Sequence, residues 1–189
     1  MSTEPLTVDF DRLEVGTRVV TRGRTITETD LVSFSALTGD WHPQHADAEW
    51  AGASPFGERI AHGMLVLSYS VGLLPIDPER VVALRGLRNV VFKRPVPIGS
   101  TISVEAEIAG LQPLDPGHGL VELALRVRDG DGKLVARASL EALWRRAPSE
   151  ASSANGAQAG RANGSKAETQ ASSTETAELA PCADGRVLV

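Results

Sequence analysis

Only one cysteine, Cys182, occurs among the 189 residues, which excludes an intrachain disulfide and a zinc cage built on cysteine. A surplus of positive charge is also missing. The net charge is −5, so no basic face awaits nucleic-acid phosphates, and no nucleic-acid partner is expected. Long apolar runs are absent too. The longest, Met64 to Leu74, carries two serines and falls short of the roughly 18 residues that span a bilayer. Met1-Ser-Thr-Glu-Pro-Leu6 has neither the basic start nor the apolar stretch of a signal peptide. These absences predict a soluble cytoplasmic protein without a membrane partner. Neither a Gly-x-Ser-x-Gly elbow, a P-loop nor a Gly-x-Gly-x-x-Gly fingerprint is present.

What is present divides into two parts. From Ser149 to Ala183 the chain is mostly Ala, Ser, Thr, Gly and Glu, with no aromatic residue and one leucine. Such a segment buries too little apolar area to offset its ordering entropy. The expectation is one folded domain over 1–147 and a low-complexity, disordered tail over 148–189, with an Ala-rich helix as the alternative for the tail. Charge is balanced in the first part, 16 basic residues against 19 acidic, so neither part is a charged arm.

Within the first part, periodicity predicts an α+β fold. Arg18 to Thr25 reads as a first strand. Thr27-Glu-Thr-Asp30 offers a capping residue and early acids, Leu31, Phe34 and Leu37 follow at helical spacing, and Gly39 can close the helix in a left-handed conformation. Asp40 to Gln44 reads as loop, because Pro43 holds His42 extended. Arg59 to Leu74 predicts a second helix, apolar around nearly its whole circumference and so in need of wrapping. Strands over 90–94, 102–108, 121–127 and 134–144 then alternate apolar and polar positions, with Asp129-Gly-Asp-Gly132 as a turn. The architecture expected is a curled antiparallel sheet wrapped around one central buried helix.

Three of the four histidines lie between residues 42 and 62. Asp40 and His45 sit in a stretch constrained by Gly39 and Pro43, a rigid place to hold a carboxyl and an imidazole against one water. Such a pair can move protons near neutral pH. The residue types alone leave the alternative open that Asp40 caps a turn and His45 is an exposed loop residue.

Gly39-Asp-Trp-His-Pro-Gln-His45, with Ala51 six residues on, resembles the hydratase motif of the MaoC-like family of (R)-specific enoyl-CoA hydratases and (R)-3-hydroxyacyl dehydratases. Ile60-Ala-His-Gly-Met-Leu65 and Phe92-Lys-Arg-Pro-Val96 with Gly99 are similar to its second and third landmarks, and the similarity runs from about Phe10 to Arg145. The resemblance implies the hot-dog fold. It implies that Asp40 and His45 are catalytic and that the backbone N–H of Gly63 binds the thioester oxygen. It implies a hydro-lyase acting on an acyl-CoA or acyl-carrier-protein thioester, without metal or cofactor, as a homodimer or higher oligomer. The family usually has asparagine where His42 stands, so His42 is given a supporting role in the site.

Other residues carry weaker signals. His62 neighbours Gly63 and is expected to pack at the helix start. A zinc site from Asp40, His42, His45 and His62 is disfavoured by spacing. Arg85, Arg88, Lys93 and Arg94 can meet phosphates or form an exposed strand face. Trp41 and Trp50 either line an acyl pocket or cover the loop, and His118 reads as a turn residue. Two other functions compete. A hot-dog thioesterase would use a carboxylate on the central helix, and residues 60–74 contain none. A non-catalytic subunit of a heteromeric dehydratase would not need both Asp40 and His45.

Overall fold

Alternation along three strands builds the core. In the computed structural model, which describes residues 6–147, Ile102, Val104, Ala106 and Ile108 all turn to the buried face of β4 (Thr101–Pro113). Val121, Leu123, Leu125 and Val127 do the same on β5 (His118–Arg128), and Ala136, Ala138, Leu140, Ala142 and Trp144 on β6 (Leu134–Arg145). The opposite face of β4 and β5 is charged: Glu105 and Glu107 pair across the strands with Arg126 and Arg128. Every pairing is antiparallel, in the order β1 (Arg18–Val20), β4, β5, β6 and β3 (Val81–Phe92).

The two ends of this sheet differ from expectation. The single early strand is two pieces, β1 (Arg18–Val20) and β2 (Arg24–Thr25), both paired with β4. Between them the Thr21 hydroxyl accepts the Val104 N–H, taking a ladder position that a backbone carbonyl would otherwise hold. At the other end β3 runs from Val81 to Phe92, much longer than the 90–94 expected and ending two residues sooner. Its register against β6 slips at three places, so its side chains do not alternate cleanly, and the period-2 signal fades.

The first helix, α1 (Glu28–Thr38), matches its sequence signals. Thr27 and Asp30 form a reciprocal capping box, and Gly39 closes the helix at φ 77°. Its buried stripe is Leu31 and Ser35, not the Leu31–Leu37 row expected; Leu37 is 83% exposed. The second long helix, α4 (Gly63–Gly72), begins four residues later than expected and ends two sooner. Ile60 bridges Pro97 and the Ala61 N–H bonds to the Val96 carbonyl, so this stretch is extended and the helix starts only after it. Leu65 and Val66 join the core of the sheet, but Met64 is 54% exposed, so one chain does not wrap α4 on all sides.

Two short helices lie in the stretch between. Residues 43–46 form α2 (Pro43–Ala46) rather than loop, because proline lacks only an N–H that a first helical residue does not use. His42 before it is extended, as proline requires. Helix α3 (Ala48–Gly52) follows, with the Asp47 carboxylate accepting from the Glu49 and Trp50 N–H groups. The tail expected from residue 148 lies outside the described residues. Among the described residues, no helix is long and apolar enough to cross a membrane.

Candidate active site

His45 lies on α2, 5% exposed, and two bonds define its ring. Nδ1 stands 2.7 Å from the Ile60 carbonyl oxygen. A carbonyl only accepts, so Nδ1 carries the proton and Nε2 is left as the lone pair. The Gln44 side-chain amide, 3.0 Å from Nε2, is then the donor to it. Burial pushes the His45 pKa below its ordinary value, with His62 and His42 adding to this and the Ile60 bond and Asp40 opposing. A neutral imidazole with a bare Nε2 is the form that accepts a proton.

Asp40 follows the glycine that ends α1. It is exposed, and its Oδ1 accepts the His42 N–H at 3.2 Å. A carboxylate oxygen of Asp40, a ring nitrogen of His45 and one of His62 all lie within 4.8 Å of one another. One water making hydrogen bonds of about 2.8 Å to two groups spans such a gap. Geometrically the three residues also resemble a metal cluster. His62 Nε2 stands 3.0 Å from the Asp40 carbonyl oxygen and carries its proton there, which leaves Nδ1 of His62 and Nε2 of His45 as the nitrogens with lone pairs.

Gly63 is the first residue of α4, where N–H groups have no partner within the helix. A Cβ there would sit 2.8 Å from the Phe92 ring, so any side chain would require that ring to shift. Gly63, His45, Gln44 and Phe92 line one cavity of about 330 Å³ whose other walls are mainly apolar, with Lys93 and Arg94 also at its surface. Thus His45 and Gly63 share a cavity, and Asp40 reaches His45 from the side of the α1 terminus.

His42 accepts the Gln44 N–H on Nδ1 at 3.2 Å, capping α2 as an asparagine oxygen would, so its support is to the helix that carries His45. Trp50 meets the edge of the His42 ring, and neither Trp41 nor Trp50 lines the cavity. Arg88 is paired with Glu141 on β6, whereas Lys93 and Arg94 reach the cavity, Arg94 while donating to the Leu134 carbonyl. His118 bonds Asp115 in a turn. Sequence reasoning missed Ser35 and Gln44. Ser35 stands one helical turn beyond Leu31, which places it on the buried side of α1. Gln44 neighbours His45, and nothing in the pattern tells that its side chain turns back to it.

The MaoC like domain family matches residues 12–128, which include Asp40, His45, His62 and Gly63. The chain belongs to the MaoC-like domain family. It is 36% identical over 107 residues to a 3-hydroxybutyryl-CoA dehydratase of Methylorubrum extorquens, covering 55% of this chain and 66% of that protein. It is 32% identical to the R-hydratase PhaJ1 of Pseudomonas aeruginosa, with a TM-score of 0.61 over 75% of this chain and 88% of that one. A Mycobacterium tuberculosis protein described as a double hot-dog fold superposes with a TM-score of 0.67 at 23% identity, over 75% of this chain and 45% of its own, which speaks for the fold alone. The MaoC-like chain spans about two thirds of the length of most of the curated relatives it matches, and less of one. Its curled antiparallel sheet around α4 is the hot-dog fold.

Proposed function

We propose that this protein is a hydro-lyase that adds water to 2-enoyl thioesters, or removes it from (R)-3-hydroxyacyl thioesters, with Asp40 and His45 as the acid–base pair. The observation that carries the reading is the approach of the Asp40 carboxylate and a His45 ring nitrogen to within 4.8 Å, beside a cavity that also holds the start of α4. In hydration, His45 Nε2 takes one proton from water as its oxygen bonds to C3. The Asp40 carboxyl group gives a proton to C2. The proton left on His45 returns to Asp40, which restores both groups and leaves H on C2 and OH on C3. Gln44 must give up its bond to Nε2 for the water to take that place. Acid–base help of this kind contributes typically about 10²–10⁴-fold.

Addition to C3 drives negative charge onto the thioester oxygen. The Gly63 N–H, at the positive end of the α4 dipole, is the donor placed to meet it, a contact worth roughly 3–4 kcal/mol in other enzymes. The apolar walls suit an acyl chain, and Lys93 and Arg94 suit the phosphates of CoA or of a carrier-protein arm. We also propose that the working unit is at least a dimer, which would cover the exposed side of α4 and the open edge of β3. A thioesterase is disfavoured by the lack of any carboxylate on α4. Crotonyl-CoA tests the reading: loss of enoyl absorbance without release of free thiol is expected. Thiol release, or no reaction, would overturn it.

A further inference from the structure

His62 is 2% exposed and precedes Gly63 at the cap position of α4. Residues at that position usually turn their side chain onto their own helix. His62 makes no such bond. Its Nε2 instead stands 3.0 Å from the Asp40 carbonyl oxygen and 3.2 Å from Ser35 Oγ. Its ring stacks on His45, with centroids 3.8 Å apart and planes at 26°, while Phe34 tilts against it at 5.0 Å. With the proton on Nε2, Nδ1 is a bare nitrogen, and it is buried without a hydrogen-bond partner. A residue that merely fills space would avoid that cost, since a hydrocarbon ring of the same shape leaves no polar atom dry.

We propose that His62 is a positioning residue that holds the acid and the base in register, tying the Asp40 backbone through Nε2–H and supporting the face of the His45 ring. The inference rests on the hydro-lyase reading above. The bond from His45 Nδ1 to the Ile60 carbonyl fixes one edge of the His45 ring. Once Gln44 gives up its bond to Nε2 for the water, the Ile60 bond alone does not fix the swing of the ring, and the stack does. Likewise the carboxylate of Asp40 is only as well placed as its backbone, which leaves α1 through Gly39 and is caught by His62. One side chain therefore contacts both halves of the pair and is bonded in sequence to the residue whose N–H faces the thioester oxygen.

Two variants separate the parts. His62→Gln keeps an N–H donor near the Nε2 position, and His62→Leu keeps neither donor nor ring. With crotonyl-CoA, His62→Leu should lower kcat about 10- to 100-fold with KM changed less than about twofold, as misplacement of reacting groups does. His62→Gln should recover part of that loss. The His45 imidazole titration, followed by NMR, gives a readout independent of turnover. Asp40, His42 and His62 are the titratable groups acting on His45. Removing His62 opens the ring to water and takes away a neighbour that lowers its pKa, so the midpoint should rise in His62→Gln. An unchanged midpoint together with an unchanged kcat would overturn the proposal, as would equal losses in both variants. Should neither variant fold, Ser35→Ala decides. A fall in kcat at constant KM supports the role, and wild-type kcat removes it. If the wild type hydrates no enoyl thioester, the activity falls while the titration still decides what His62 does.

Discussion

The sheet and the stretch from Gly39 to Gly63 are built on opposite rules. In β4, β5 and β6 the side chains make the core and the backbone only repeats a ladder. Between Gly39 and Gly63 the backbone carries specific contacts: the Ile60 carbonyl orients His45, the Asp40 carbonyl receives His62, and the Gly63 N–H opens a helix. The sheet should therefore respond to lost volume, and the site stretch to lost donors and acceptors.

The largest expected effect is on turnover. Asp40→Asn and His45→Gln should each lower kcat about 10²–10⁴-fold with little change in melting temperature. Their double variant should be hardly slower than the worse single one, because both act on one water. Steady-state kinetics beside a thermal melt would check this, and a large fall in melting temperature would blur the contrast with the sheet. Leu123→Ala should behave in the opposite way. It removes a fully buried side chain from β5 and should cost about 2–5 kcal/mol in denaturant unfolding, with kcat per folded molecule intact. Gly63→Ala mixes the two behaviours, since its methyl would press the Phe92 ring at 2.8 Å. About 1–3 kcal/mol of overpacking is expected, and Phe92→Leu in the same chain should relieve it.

Two smaller effects sharpen the contrast. Burial lowers the His45 pKa, so the neutral base survives to a more acidic pH than a free imidazole would. The acid limb of kcat/KM should fall below about pH 6.5, and a limb above that value would mean that another group controls it. His42→Asn exchanges one capping acceptor for another and should leave kcat within about twofold of wild type.

How much could be read from sequence follows the same division. The alternation of 102–108 and 121–127 is a direct image of burial, and the box Thr27–Asp30 with Gly39 marks both ends of α1 closely. Asp40 and His45 stood out by residue type and by resemblance, and Gly63 by resemblance alone. What periodicity could not show were contacts made by main-chain atoms. The strand-like pairing of Ile60 and Ala61 with 96–97, which delays α4, depends on residues far apart in the chain. Likewise Pro43 marks both a loop and a first helical turn, and only the His42 cap decides between them. His62 looked like packing because its partner is the carbonyl of Asp40, not its carboxylate.

Ile60 holds the base with its carbonyl, receives nothing there from its own side chain, and donates its N–H to the Gln44 carbonyl at 3.2 Å. Ile60 meanwhile also lines the cavity beside His45. Orientation of the His45 imidazole and the shape of one cavity wall thus fall to the same residue. Exchanging Ile60 for valine, leucine or methionine should alter what the cavity accepts and leave the carbonyl contact to His45 in place. On the proposed hydro-lyase reading, the position would let chain-length preference drift, under selection or in the laboratory, without re-inventing the chemistry.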